Sequence, residues 1–170
     1  MSLNYDIYLS SAKNDTAIDI ESLTVLKNTA RDTELSAGLV IPWGASIQEY
    51  GSDNYTVSSG VITLPSGYYY LVKCAVGAVT LAISSATISY QFYNTGTSSY
   101  VGRRGWLAWQ EYPKLNGGDE YAIALIDASS SSVSIDVRML TVNTTGIYMD
   151  SLDAQAYLAG YTRCEIYKWS

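Results

Sequence analysis

From Leu39 to the end of the chain, short apolar stretches alternate with segments rich in Gly, Pro, Asn and Ser. The clearest stretch runs from Tyr68 to Val76, where every second residue is apolar and Lys73 falls on the opposite side. Alternation with a period of two, together with aromatic and β-branched residues, predicts a half-buried β-strand. The preceding Pro65-Ser66-Gly67 predicts a turn, because Pro presets φ and Gly tolerates a positive φ.

The same features predict a series of further strands along the chain. They lie at Leu39–Trp43, Tyr55–Val57, Val61–Leu64, Val79–Ile83, Thr87–Tyr93, Gly105–Trp109, Glu120–Asp127, Val133–Val142 and Gly160–Trp169. Strands that recur every eight to twelve residues or so, with Gly- and Asn-bearing turns between them, are typical of a β-sandwich. We therefore predict an all-β, antiparallel sandwich domain over residues 39–170.

Residues 1–38 differ from the rest because Asp, Glu, Lys and Asn are frequent and the apolar residues fit neither a helical nor a strand period. Two interpretations stay open. The segment is either a frayed first strand with a short helix near Ile20–Asn28, or an N-terminal arm that anchors the domain to a larger assembly. We treat 1–38 as a separate segment in both cases.

The chain contains no histidine. Histidine is the side chain whose unperturbed pKa lies near neutral pH, so Ser-His-Asp, Cys-His and His-based metal chemistry are excluded. The strings Ser10–Lys13 and Ser52–Asn54 match two short motifs of serine β-lactamases, but the third, K-T-G, is absent. We predict no enzymatic activity, no cofactor and no metal site.

The net charge of −6 disfavours binding to nucleic acid, which requires a local basic stripe. The longest basic run is Arg103-Arg104, and the lysines are scattered singly. We see neither a secretory signal nor an apolar run long enough to span a membrane, so we expect synthesis in a cytoplasm and no membrane insertion. Cys74 and Cys164 are predicted to be buried thiols, since reducing compartments disfavour disulfides.

The segment Arg103-Arg104-Gly105-Trp106-Leu107-Ala108-Trp109 concentrates cations and indoles, which are enriched in interfaces and sugar sites. Arg103, Arg104, Trp106 and Trp109 are therefore candidates for contact with a partner, either a neighbouring subunit or a glycan ring. The alternative is that one Trp lies in the core and the two Arg side chains lie on a solvated loop.

Three segments, in this order, resemble the C1q/TNF-like jelly-roll superfamily. They are the turn and Tyr-rich strand of 60–71, the Leu-x-x-Gly-Asp strand entry at 115–125, and the terminal strand of 156–169. Within the superfamily the chain looks like bacteriophage members, whose last strand ends in a Thr-x-x-x-Ile-x-Lys-aromatic pattern such as Thr162–Trp169.

The resemblance implies a ten-stranded jelly roll in which the first, central and last strands are neighbours, so that Cys74 and Cys164 lie on adjacent strands. It also implies a homotrimer packed through aromatic faces, for which Tyr68, Tyr70 and Tyr90 are the candidate contacts. The implied function is that of a structural virion protein, either a capsid decoration (cement) protein or a head fibre, with the major capsid protein or another virion protein as its partner. The alternative is a receptor- or carbohydrate-binding tip of a tail fibre.

Overall fold

The computed structural model describes residues 20–29, 33–51, 55–80, 86–109, 120–149 and 162–170. Within these ranges the regular elements are all strands. They are β1 (Ser22–Asn28), β2 (Trp43–Tyr50), β3 (Thr56–Ser58), β4 (Val61–Leu64), β5 (Tyr68–Ala75), β6 (Ala78–Thr80), β7 (Ala86–Asn94), β8 (Ser99–Trp109), β9 (Ala122–Ala128), β10 (Val133–Val142), β11 (Ile147–Met149) and β12 (Arg163–Trp169).

Ten strands are hydrogen-bonded in the order β2-β1-β12-β5-β9-β8-β7-β10-β4-β3, and β11 pairs with β6 separately. Strand β8 pairs with β7 along most of its length and meets β9 at Arg103, opposite Ile123. We call β2-β1-β12-β5-β9 the front sheet and β8-β7-β10-β4-β3 the back sheet. All of the described strand pairings are antiparallel. The front and back sheets together form the layered arrangement of a jelly roll.

Alternation along the strands places one face of each sheet in a shared core. On β5 the inward residues Tyr70, Val72 and Cys74 are at most 1% exposed, as the predicted strand at Tyr68–Val76 requires. Phe92 and Ile135 contribute to the same core from the back sheet. The predicted all-β jelly roll is confirmed by this arrangement.

The first, central and last described strands are neighbours, because β12 pairs with β1 on one side and with β5 on the other. Cys164 lies directly opposite Cys74 in the β12–β5 register, and both are free, buried thiols. Burial in the core raises the pKa of both thiols, so they remain protonated at neutral pH. The predicted burial and adjacency of the two cysteines are confirmed.

The structure departs from the sequence-based prediction near the N-terminus. Residues 22–28 form a strand inside the front sheet rather than a helix, with Val25 and Leu26 both buried although they point to opposite faces. Burial on both faces removes the alternation that would have identified a strand. The anchoring role of residues 1–38 stays a prediction, and residues 1–19 lie outside the described part of the chain.

Strand β8 is longer than the predicted Gly105–Trp109 and contains an irregularity. Its pairing with β7 shifts register between Val101 and Gly105. At this irregularity Gln91 donates an Nε2–H to the Gly102 carbonyl at 2.7 Å. Gly102 has φ of +73°. An added Cβ there would collide with the Ile123 carbonyl oxygen and come within 2.5 Å of the Ala124 Cβ. The irregular backbone of β8 at position 102 therefore requires glycine.

We expect Gly102→Ala to lower the free energy of unfolding by about 3 kcal/mol. Roughly 1–2 kcal/mol comes from the left-handed backbone, and the steric overlap with β9 adds a similar amount. Gly67→Ala is the matched control, because Gly67 has φ of +97° but an added Cβ would meet no atom within 4 Å beyond its chain neighbours. Urea unfolding should show a clearly larger loss at Gly102; equal losses would mean that β9 does not approach this glycine closely.

Candidate functional site

The outer face of the front sheet carries a row of apolar and aromatic side chains that crosses five strands. The strand registers place Tyr50 opposite Leu23, Leu23 opposite Tyr167, Tyr167 opposite Leu71, and Leu71 opposite Leu125. We call Tyr50, Leu23, Tyr167, Leu71 and Leu125 the apolar row. With strands about 4.8 Å apart, it is about 19 Å long.

Two further aromatic side chains extend the apolar row towards one end of the sheet. Tyr69 stacks on Trp169 of the neighbouring strand, with ring centroids 6.3 Å apart and an interplanar angle of 21°. Tyr50, Tyr69 and Leu125 are 68%, 38% and 66% exposed, so this one face holds three of the chain's large exposed hydrophobic residues. Exposed apolar residues grouped on one face are typical of surfaces that contact another protein, a membrane or a ligand.

Next to the apolar row, basic side chains from four strands lie on the same face as the carboxylate of Glu165. Lys27 is opposite Arg163, Lys73 is opposite Glu165, and Arg103 is opposite Ile123 of the same face. We call Lys27, Arg163, Lys73 and Arg103 the cationic band, with Glu165 inside it.

Tyr121 and Glu165 hold most of the cationic band in place. The Lys73 ammonium lies 4.0 Å from the centroid of the Tyr121 ring, and an Arg103 N–H donates to the Tyr121 carbonyl at 3.4 Å. Glu165 accepts hydrogen bonds of 2.9 Å from Arg163 Nε and from the Tyr167 hydroxyl, and it lies 3.5 Å from Lys73 Nζ. The carboxylate therefore links the band to the apolar row.

Burial alone would raise the pKa of Glu165, but the hydrogen bond from Arg163, the charge of Lys73 and the hydrogen bond from Tyr167 outweigh it. The result is a pKa below the ordinary range of a glutamate. Because the folded state binds this proton more weakly than the unfolded state does, Glu165 stabilises the fold above its unfolded pKa of about 4.3. That contribution is lost as the pH falls through the lower, folded value.

We expect Glu165→Gln to lower the free energy of unfolding by about 1–3 kcal/mol near neutral pH, the usual effect of losing hydrogen bonds to a charged group. The variant should also lose less stability than the original chain when the pH falls below about 4, since its side chain no longer titrates. Urea midpoints measured at fixed protein concentration across acidic pH would test this. An identical acid dependence in both proteins would show that Glu165 is not held ionised by its neighbours.

The tyrosines predicted to form a threefold contact lie in different surroundings from those expected. Tyr70 and Tyr90 are 1% and 3% exposed and belong to the core of the single chain. Tyr70 donates its hydroxyl proton to the Pro65 carbonyl at 3.1 Å, and the Tyr90 hydroxyl accepts from the Val76 amide at 3.2 Å. A side chain enclosed in this way is not accessible to another copy, so a contact between copies requires other residues.

Tyr68 is half-buried at the margin of the same core. Its ring is packed edge-on against Tyr70, with centroids 6.4 Å apart, and the Lys168 ammonium lies 4.6 Å from its centroid. The three predicted tyrosines are therefore not gathered on one exposed face. On the same strand, Tyr69 and Leu71 lie on the outer face of the front sheet instead.

The four predicted contact residues of β8 are also separated. Arg103 and Arg104 are exposed, with Arg103 in the cationic band. Trp106 is 39% exposed and pairs with Ser89 of the back sheet. The side chain of Trp109 lies outside the described part of the structure. Tyr100 is 48% exposed and packs edge-on against Tyr93, with ring centroids 5.1 Å apart, so the back sheet has exposed aromatic residues of its own.

The described residues contain neither a metal-binding cluster nor a membrane-spanning helix. No three His, Cys, Asp or Glu side chains there are grouped closely enough to hold an ion. No helix in the same ranges is long and apolar enough to cross a membrane.

The fold defines the class: the chain is an all-β, TNF-like jelly roll. The crystal structure of murine APRIL at pH 8.0 matches it with a TM-score of 0.52 and 10% identity, over 86% of this chain and 98% of that one. Murine APRIL at pH 8.5 matches over the same shares, with a TM-score of 0.49 and 11% identity. PRD1 vertex protein P5 matches with a TM-score of 0.44 and 10% identity, over 89% of this chain and 99% of that one.

No family model matches the sequence, and no curated protein matches it either. At identities near one in ten, the structural likeness shows the fold and nothing more specific.

Proposed function

We propose that this chain is a virion surface protein of a tailed bacteriophage that works as a homotrimer, as a capsid decoration (cement) protein or a head fibre. The observation that carries the assembly is the apolar row on the outer face of the front sheet. The virion role is supported by the Thr162–Trp169 pattern of the terminal strand, which resembles phage members of the superfamily that the three motifs indicate.

The apolar row has the composition of a contact between protein subunits. Tyr and Leu side chains form the apolar row, Tyr69 and Trp169 extend it, and charged groups lie beside it in the cationic band, as in the core and rim of protein interfaces. Each large side chain removed from water there contributes roughly 1.5–3 kcal/mol. Leu23, Leu71 and Tyr167 are already half-buried in the single chain, so most of this gain comes from Tyr50 and Leu125, and the cost of ordering an assembly is subtracted from it.

The location on the particle is tested by a cryo-EM map of the parent virion. We expect threefold density of jelly-roll shape on the outer surface of the capsid, in contact with the major capsid protein. Density for this chain only at the end of a tail fibre would contradict the decoration role and favour receptor binding.

A receptor- or carbohydrate-binding tip is the second candidate, and the exposed Trp106 and Tyr100 of the back sheet favour it. Aromatic rings of this kind provide large, rigid contact surfaces. A glycan array distinguishes the two: saturable binding that is lost in Trp106→Ala and retained in Tyr69→Ala would support the second candidate. Tyr69 is the matched control because it is equally exposed but lies on the front sheet.

A further inference from the structure

Cys74 and Cys164 form a pair of thiols in the middle of the front sheet. They lie directly opposite each other on β5 and β12, and both are completely buried. Residues opposed on antiparallel strands have Cα atoms about 4.5 or 5.5 Å apart, depending on whether their backbones are hydrogen-bonded to each other. Both separations fall within the range of about 4.4–6.8 Å that a disulfide spans. The strand register therefore meets the backbone requirement for a bond between the two sulfurs.

The register on which this pairing depends is fixed on both sides of the pair. Two positions before Cys164, the Thr162 hydroxyl accepts from the Gly77 amide at 3.0 Å and donates to the Gly77 carbonyl at 3.1 Å. Two positions after it, Ile166 is opposite Val72. A slip of one residue would turn one of the sulfurs to the outer face. Opposed Cβ atoms are about 4.5–5.5 Å apart and those of a disulfide about 3.5–4.5 Å, so the strands need to approach by only about 1 Å.

The surroundings of the pair keep it unreactive while the sheet is closed. Leu26 lies opposite Cys164 on one side and Ala122 lies opposite Cys74 on the other, and both of these neighbours are buried. Burial raises the pKa of both thiols, and the charge of a Cys164 thiolate would raise the pKa of Cys74 further. Since the thiolate is the form that reacts, oxidation requires a transient opening that exposes the pair to water.

We propose that Cys74 and Cys164 are a modification site, and that they form an intrachain disulfide between β5 and β12 when the chain meets an oxidising environment. The oxidant is a low-molecular-weight disulfide such as oxidised glutathione. One cysteine thiolate attacks it, forms a mixed disulfide and releases one small thiol. The second cysteine thiolate attacks the protein sulfur of this mixed disulfide and releases the other small thiol. The pair loses two electrons to the small disulfide, and its two protons end on the two small thiols.

The bond joins the last strand to the central strand and closes a loop of about 90 residues that contains β6 to β11. Closing a long loop restricts the unfolded chain more than the folded one, and the fold becomes more stable. A reducing cytoplasm keeps the thiols free, whereas release from the host cell exposes them to oxidising surroundings. This setting rests on the proposed virion role, but the pairing itself rests on the strand register.

The test incubates the folded, full-length chain with oxidised glutathione and compares it with a sample kept in dithiothreitol. We expect the intact mass, measured after denaturation, to fall by two hydrogen atoms, with neither a bound glutathione nor a linked dimer. The Tm should rise by about 5–10 °C, the usual effect of a disulfide on a chain of this size. Adding dithiothreitol should restore the original mass and Tm.

Cys164→Ala is the control, and its Tm should show no rise with oxidised glutathione. Each protein is compared with itself in the two conditions, so the effect of the substitution on folding cancels, and Cys74→Ala gives a second control of the same kind. The pairing is overturned if the original chain keeps both thiols when folded and also after refolding with the same oxidant. Linked dimers in place of an intrachain bond would overturn it as well. A bond that forms without raising the Tm would contradict its stabilising role. All three results leave the virion role to be decided by the cryo-EM map.

Discussion

Replacing Tyr70 with Asp is expected to prevent the chain from folding. The substitution removes an aromatic side chain that is 1% exposed, with its hydrogen bond to Pro65, and places a carboxylate in the core. Truncation of a buried aromatic residue costs about 3–5 kcal/mol, and an unpaired buried charge costs several more. Since a domain is stable by only about 5–15 kcal/mol, most molecules would be unfolded.

Tyr69→Asp is the control for this prediction, because Tyr69 precedes Tyr70 on the same strand but points to the outer face and is 38% exposed. Circular dichroism and limited proteolysis should show a folded Tyr69→Asp protein and an unfolded, protease-sensitive Tyr70→Asp protein. If Tyr70→Asp folds normally and only its assembly changes, the inward orientation of this tyrosine is contradicted.

Leu125→Asp is expected to dissociate the proposed trimer without unfolding the chain. Leu125 is 66% exposed in the single chain, so a carboxylate at this position remains in water when the chain is alone. In the assembly it would lie in the apolar row of all three contacts and lose its hydration. We expect the dissociation constant to rise by about 100-fold or more, because each 1.4 kcal/mol or so corresponds to a factor of ten.

Thr56→Asp introduces the same charge at an exposed position on the back sheet and is expected to leave the assembly unchanged. Sedimentation velocity over a range of concentrations would measure both variants. If Leu125→Asp and Thr56→Asp assemble equally well, the front sheet is not the contact between copies.

Strand rhythm was enough to predict the sandwich and most of its strands. The strand at Val61–Leu64 agrees residue for residue, and the strand at Tyr68–Val76 agrees to within one residue. The resemblance to the superfamily added the neighbour relations that bring Cys74 opposite Cys164, which periodicity cannot supply. Strand β11, at Ile147–Met149, was not predicted.

The candidate site was harder to predict, because a sequence lists residues along the chain and a sheet brings distant ones together. Lys27, Lys73, Arg103 and Arg163 are isolated in the sequence and become a band through strand order alone. The apolar row and its extension had a visible signal at Leu71 and Tyr69, where the strand is apolar on both sides. Such a strand predicts an additional packed face, but aromatic content drew the predicted contact to Tyr70, whose side chain points into the core.

The central claim is that copies of this chain associate through the outer face of the front sheet. Size-exclusion chromatography with multi-angle light scattering, on the full chain at micromolar concentration and low salt, tests this claim most directly. We predict a mass of three times the 18.5 kDa of one chain. A mass of a single chain under these conditions would contradict the account.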